Sequence, residues 1–223
     1  MAETSLFHSP LTEKYRPRCW DEVVAQDKIV GQIRSLIGRG ALSGRAYWLS
    51  GPSSCGKSTV ARLLAKEIAD DFCTVEVDAT GLTVAELADL EKQSRLMGFG
   101  EKTGRAFIVN EAHGLRKDVI RQLLVVLERI PRHCLWVFTT TSDQEEALFE
   151  DLLDASPLLS RCVRLQFSRR NVARAFAERA KWIAEQEGLD GREIGAYLEL
   201  VNQHRSNLRA VLNDIEAGRM MAE

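Results

Sequence analysis

The sequence predicts an α/β protein, a parallel sheet with helices on both faces, followed by a small helical domain. Three observations carry this reading. Short apolar runs alternate with stretches of helical spacing, a loop containing Gly51 and Gly56 joins one such run to an amphipathic helix, and strand signals stop near Val163–Phe167. The 223 residues suffice for one domain of ordinary size plus a satellite. With 45% hydrophobic and 28% charged residues, the composition excludes a disordered chain, a collagenous repeat and a disulfide scaffold.

Residues 1–12 are expected to form a flexible arm. After Pro17, apolar residues at Val23, Val24, Ile29, Ile33 and Leu36/Ile37 are spaced for a helix that closes at Gly38 and Gly40. Ala46–Leu49 then reads as a strand, and the helix after the glycine loop would bury Val60, Leu63, Leu64 and Ile68. Thr74–Val77 reads as a strand and Ala85–Met97 as a helix. Strand, helix, strand follow at Arg105–Val109, Val119–Ile130 and Cys134–Thr139. Beyond the last strand, helical stretches at about 169–187, 190–203 and 206–217 break at Gly188 and at the Arg205/Ser206 junction, where Ser206 is the expected N-cap. The expected partition is an arm at 1–12, an α/β domain at 13–167 and a helical domain at 168–223.

Thirty basic against thirty-two acidic residues give a net charge of -2, so no global basic field points to nucleic acid. Arg161, Arg164, Arg169, Arg170, Arg174, Arg179 and Lys181 crowd one stretch, and a solvated helix face accounts for them better than a DNA contact does. No apolar run approaches the roughly 20 residues that cross a bilayer, and the N-terminus lacks a signal-peptide pattern, which makes a cytoplasmic chain with no membrane partner the expectation. The five scattered cysteines show no zinc spacing and are expected to be small buried apolar residues, as Trp48 and Trp136 are expected to be core.

Gly51-Pro52-Ser53-Ser54-Cys55-Gly56-Lys57-Ser58 matches G-x-x-x-x-G-K-[ST] in full. At this spacing the loop can curl so that successive backbone N–H groups converge on a phosphate, while its glycines supply backbone angles that side chains forbid. Gly51, Ser54, Cys55, Gly56, Lys57, Ser58 and Thr59 are the expected phosphate-binding residues, with Lys57 neutralising β/γ oxygens and Ser58 coordinating Mg²⁺. Ala106–Val109, an apolar strand ending in Asn110-Glu111-Ala112-His113, supplies the second half of such a site. There Glu111 would orient and deprotonate an attacking water, and Asn110 stands where a carboxylate would help hold the Mg²⁺ shell. An amide oxygen is neutral, so the ion should be held less firmly.

From Glu13 to Glu216 the chain resembles the AAA+ ATPases of the clamp-loader branch, relatives of the bacterial polymerase III gamma/tau subunits and of replication factor C. Glu13-Lys14-Tyr15-Arg16-Pro17 resembles the opening K-Y-R-P segment and Val24-Ala25-Gln26 the V-G-Q segment, which implies that Tyr15, Arg16 and Pro17 help cradle the adenine of ATP. Asn110–His113 is similar to the D-E-A-H box, and Thr140-Thr141 to the sensor-1 segment, with Thr141 implied to contact the γ-phosphate or the attacking water. Ser160-Arg161-Cys162 matches the S-R-C signature, which implies that Arg161 is a finger reaching the nucleotide of a neighbouring subunit. Ile183–Gly188 resembles the lid's I-A-x-x-E-G and Ser206-Asn207-Leu208-Arg209 its sensor-2 G-D-x-R, placing Arg209 over the nucleotide from the lid. The resemblance further implies like or paralogous AAA+ subunits as partners, together with a sliding clamp and primer-template DNA, near which the pair Arg116-Lys117 would lie.

Four departures set expectations of their own. Asn110 replaces the magnesium aspartate, Ala25 replaces a glycine at small expected cost, and Ser142–Leu159 is longer than the usual connection to S-R-C. The chain also stops after the lid, where the family continues into a collar domain, and it lacks the zinc insertion of bacterial relatives. Two readings follow: a clamp-loader-like ATPase of DNA replication or repair that hydrolyses ATP with Mg²⁺, or a nucleotide-responsive scaffold with weak hydrolysis. A DNA-repair or mobile-element protein on the same fold is a third.

Overall fold

The computed structural model describes residues 9–141 and 155–221. Most of the 142–159 connection therefore lies outside the described residues. The chain divides into two compact units, Gln26–Ser168 and a second made of residues 1–25 with 169–223.

The first unit is built on five parallel strands, β1 (Arg45–Ser50), β2 (Thr74–Asp78), β3 (Arg105–Asn110), β4 (Cys134–Thr140) and β5 (Cys162–Gln166), in the order β2-β3-β4-β1-β5. The central strands are buried on both faces, as a parallel sheet covered by helices requires, and so they read as continuous apolar runs. On one face Phe107, Trp136, Phe138 and Trp48 form a layer, with Phe107 and Trp136 stacked at 4.5 Å and Trp48 and Phe138 at 5.8 Å. That layer packs under α4 (Val84–Ser94) and α5 (Lys117–Leu127) through Leu87, Leu90, Val119, Ile120 and Leu123. Tyr47, Leu49, Ile108 and Val137, the alternate residues, are equally buried on the other face, where α3 (Lys57–Ile68) lies on β3 and β4. The unit also holds α2 (Asp27–Gly38) and α6 (Ala155–Ser160).

Helix ends differ from the expected ones for local reasons. A capping box between Thr83 and Glu86 starts α4, and α4 ends at Ser94, leaving Leu96, Met97 and Phe99 exposed in the connection to β3. α2 begins only at Asp27 because Ala25 has φ +60, which no right-handed helix admits. The cysteines follow the expectation at Cys55, Cys73 and Cys134, whereas Cys19 is exposed. Burial pushes the thiols of Cys134 and Cys162 up to about 12, so both are inert at neutral pH.

In the second unit a short α1 (Leu11–Lys14) joins α7 (Ala173–Glu187), α8 (Ile194–Gln203) and α9 (Leu208–Glu216). Their core contains Leu11, Phe176, Ala180, Ile183, Tyr197, Leu200, Val211 and Ile215. Leu11 belongs to the stretch read as a flexible arm, yet it is fully buried, and residues 13–25 pack here instead of with the sheet. A segment returning to helices more than 150 residues away leaves no periodic trace of that return. Ser206 is not the N-cap of α9: it has φ +56, and the Asn207 side chain accepts from the Ala210 N–H at 3.2 Å. Ser206 stands where the resembling G-D-x-R pattern has glycine, the residue suited to that angle.

Candidate phosphate-binding site

The parallel order puts the carboxyl ends of all five strands on one edge, and β1 runs there straight into the glycine loop. Crevices at such edges are where open α/β sheets bind ligands. The loop turns through positive φ at Gly51 (+151), Ser54 (+58) and Gly56 (+96), and α3 starts at once at Lys57 with Gly56 as its N-cap. Gly56 has no side chain to cap the helix, so the first-turn N–H groups and the positive helix end are presented at the loop.

The Lys57 side chain is buried, its ammonium donating at 2.8 Å to the carbonyls of both Gly51 and Pro52. The cation is thus held inside the curl by backbone that the strand end fixes. A left-handed curl, a buried ammonium and an uncapped helix start together form an anion cradle, and that donor set fits the polyphosphate of a nucleotide. Ser58 and Thr59 follow on the first turn of α3.

Asn110 ends β3, beside β4 and β2 in the sheet. Its amide oxygen accepts from the Thr139 hydroxyl at 2.9 Å, and its amide nitrogen donates to Glu76 Oε1 at 2.6 Å. Arg62, one turn beyond Ser58 on α3, grips the same carboxylate through Nε at 2.9 Å and Nη2 at 3.2 Å. As a magnesium ligand Asn110 fits poorly, because its only oxygen is neutral and already accepts a hydrogen bond; Ser58 fits through its hydroxyl. Glu111 has φ +52 and a half-exposed carboxylate with Oε2 3.4 Å from His113 Nδ1, while buried Thr140 reaches the same ring nitrogen at 3.5 Å. Thr141 is the last described residue of this segment.

The structure thus gathers Gly51, Ser54, Cys55, Gly56, Lys57, Ser58, Thr59, Asn110, Glu111 and Thr141 on the carboxyl edge of one sheet. Arg161 is elsewhere. It precedes β5, whose first residue Cys162 pairs with Ala46 near the start of β1, and it binds Glu128 and the Pro157 carbonyl, the latter at 2.9 Å. Tyr15, Arg16, Pro17 and Arg209 belong to the helical unit. There the Tyr15 hydroxyl donates to Glu187, which raises it to about 12, and its ring meets Trp182 edge-on at 5.7 Å. Arg16 pairs with Glu13, and Arg209 is exposed on the first turn of α9.

Sequence reasoning missed Thr139, Glu76 and Arg62. Thr139 lies one residue before the threonines it singled out, and Glu76 is a polar residue of an alternating edge strand, so only the strand register connects either to Asn110. The Ala25 departure also carries more weight than its size suggests, since that position is left-handed. Ala25→Gly is expected to relieve about 1 kcal/mol of strain, part of it offset by glycine's freedom in the unfolded chain, for a net gain of roughly 0.5 kcal/mol. Urea unfolding measures it. A loss of stability would mean that the methyl group, packed on the helical core, outweighs the backbone term.

Residues 7–94 match the family described as the Rad17 P-loop domain. A replication factor C small subunit of Thermofilum pendens is 26% identical over 211 residues, covering 92% of this chain and 61% of its own length. DNA polymerase III subunit tau of Bacillus subtilis is 25% identical over 209 residues, covering 83% of this chain and 35% of that protein. Among solved structures, the Thermotoga maritima RuvB Holliday junction branch migration motor superposes with TM-score 0.70 at 20% identity, over 91% of this chain and 64% of that one, and shows the fold alone. The chain spans between 53% and 62% of the length of the replication factor C small subunits it matches. No described helix is long and apolar enough to cross a membrane, and no cluster of metal-ligating side chains occurs among the described residues. The match at residues 7–94 and these relatives together support a clamp-loader-branch AAA+ protein, to which the chain is similar along nearly all of its length.

Proposed function

We propose that this chain binds ATP at the loop Gly51–Ser58 and hydrolyses it within an assembly of like or paralogous AAA+ subunits that acts on a sliding clamp and primer-template DNA. The buried Lys57 ammonium carries the reading, because the Gly51 and Pro52 carbonyls hold its charge inside the glycine loop, next to the uncapped start of α3, where it adds to a site shaped for anions. With nucleotide bound, Lys57 holds β/γ oxygens, the first turn of α3 adds N–H donors, and Glu111 at the strand end accepts the proton of the attacking water. Ser58 is the residue that would hold Mg²⁺, and the ion would supply charge neutralisation in the hydrolytic step more than in binding. Thr141, Arg209 and the adenine residues Tyr15, Arg16 and Pro17 keep the roles that their resemblance assigns.

Lys57→Ala is expected to weaken ATP binding by at least about a hundredfold, since the charge-assisted contacts to two phosphates vanish together. Titration calorimetry with ATP checks it. Wild-type affinity in the variant would remove this loop from the nucleotide site. DNA stimulation of phosphate release, falling steeply with salt, tests the nucleic-acid part; a flat response to DNA would delete it.

One observation favours a second reading, in which ATP sets a conformation and hydrolysis is slow. Asn110 is occupied as a bridge between Glu76 and Thr139, which leaves the magnesium side of the site without the usual carboxylate. Single-turnover hydrolysis far slower than nucleotide release would select it.

A further inference from the structure

We propose that Glu76 fixes the chemistry of position 110: it is the partner that makes residue 110 an amide, and through it this site takes nucleotide with little help from Mg²⁺. The inference rests on the loop Gly51–Ser58 being the nucleotide site. Its ground is the chain of bonds from α3 across three strands, Arg62 to Glu76 on β2, Glu76 to Asn110 on β3, and Asn110 to Thr139 on β4.

The direction of each bond is determined by chemistry. An ionised Glu76 offers only acceptors, so the group facing it at 2.6 Å must be the NH₂ of Asn110, and the amide oxygen is thereby turned to Thr139. Residue 110 can then bridge β2 to β4 only as a donor on one side and an acceptor on the other. Aspartate cannot do this. It would place a second carboxylate at hydrogen-bond distance from Glu76, where like charges repel, and Arg62 is already committed to Glu76 through two nitrogens.

The same geometry says how the carboxylate can be moved. With Glu76→Gln and Asn110→Asp together, the amide lies on β2 and the acid on β3, the bond between them reverses direction, and Thr139 still donates to residue 110. The pair therefore behaves as a unit. Either substitution alone breaks the match, whereas both together restore it with the charge relocated to the end of β3, on the same carboxyl edge of the sheet as the glycine loop. Glu76 is a positioning residue, acting on the nucleotide site through Asn110.

The test uses the full chain as wild type, Asn110→Asp, Glu76→Gln and the double variant, with ATP titrated calorimetrically in Mg²⁺ and in EDTA, and thermal melts of each. Wild-type affinity is expected to change by less than roughly threefold on chelation, while the double variant gains a Mg²⁺ dependence of about tenfold or more. Asn110→Asp alone should melt about 3–6 °C lower, with most of that loss recovered in the double variant. A wild-type chain already strongly Mg²⁺-dependent would overturn the proposal. So would an Asn110→Asp variant that gains full dependence without loss of melting temperature, or single effects that simply add. If no variant binds ATP, the nucleotide reading is what falls. The melting cycle then decides the pairing of residues 76 and 110 by itself.

Discussion

Replacing Arg161 with alanine is expected to lower ATP turnover by about a thousandfold while leaving ATP affinity nearly unchanged, the pattern of a charge that acts only in the transition state. Such an effect would have to arise between subunits, because of where the sheet puts Arg161. Cys162 pairs with Ala46 and Gln166 with Ser50, so Arg161 stands at the amino end of β5 while the phosphate loop leaves the carboxyl end of β1. Five residue steps at about 3.3 Å separate them, roughly 16 Å, more than an arginine side chain spans. Arg161 cannot serve its own loop. In one chain it rests against Glu128 and the Pro157 carbonyl, a partly exposed pairing of small energetic worth that a neighbouring phosphate would replace at little cost.

Mixing supplies the decisive measurement. Lys57→Ala lacks a working loop but keeps its arginine, and Arg161→Ala has the loop without the arginine. Mixed, the two should recover a measurable fraction of wild-type turnover, because the first completes the site of the second. Glu128→Ala is the control: a purely local role for Arg161 predicts that it reproduces the Arg161→Ala loss, and no recovery on mixing would end the trans reading.

What the sequence disclosed about this site divides according to how far the information reaches along the chain. Strand, glycine loop and helix at residues 45–68 were legible because each signal is local: an apolar run, glycines at fixed offsets, then helical spacing. Alternation with helices implied a parallel sheet, and the parallel sheet puts Asn110 and Thr140 near the loop, so those positions too were within reach. The bridge through Asn110 was not. It depends on Glu76 lying two residues before the register partner Asp78, a relation fixed by hydrogen bonding between strands and joining residues 34 apart in sequence. Leu11 was missed for a related reason, since a lone leucine carries no period. The strained angles at Ala25 and Ser206 surface in the sequence only as departures from a family's glycines, and the structure supplies the backbone angle that gives those departures a cost.

The two loop glycines make the last prediction, and they should not behave alike. A Cβ added at Gly51 would lie 2.7 Å from Phe167 Cβ and 2.8 Å from the Phe167 carbonyl oxygen, at a backbone φ of +151. Phe167 cannot withdraw easily. It is buried, and its N–H donates to the Ser50 carbonyl at 2.7 Å, so the backbone after β5 is tied to the residue that precedes the glycine. Gly56 has φ +96, but a Cβ there meets nothing within 4 Å. Gly56→Ala therefore incurs backbone strain alone, about 1–2 kcal/mol, whereas Gly51→Ala adds a clash with fixed backbone and should reach about 2–4 kcal/mol. In a chain of this size that is a fall of roughly 5–12 °C in melting temperature for Gly51→Ala. Both variants disturb the phosphate curl, so ATP binding should suffer in each, while only Gly51→Ala should also melt far below wild type. Equal melting temperatures for the two would mean that the loop end of β1 is looser than its bond to Phe167 implies. The combination expected for Gly56→Ala, a nearly intact fold with impaired ATP binding, separates the loop's chemical role from its structural one, because at that position the backbone angle serves the phosphate cradle and touches nothing else.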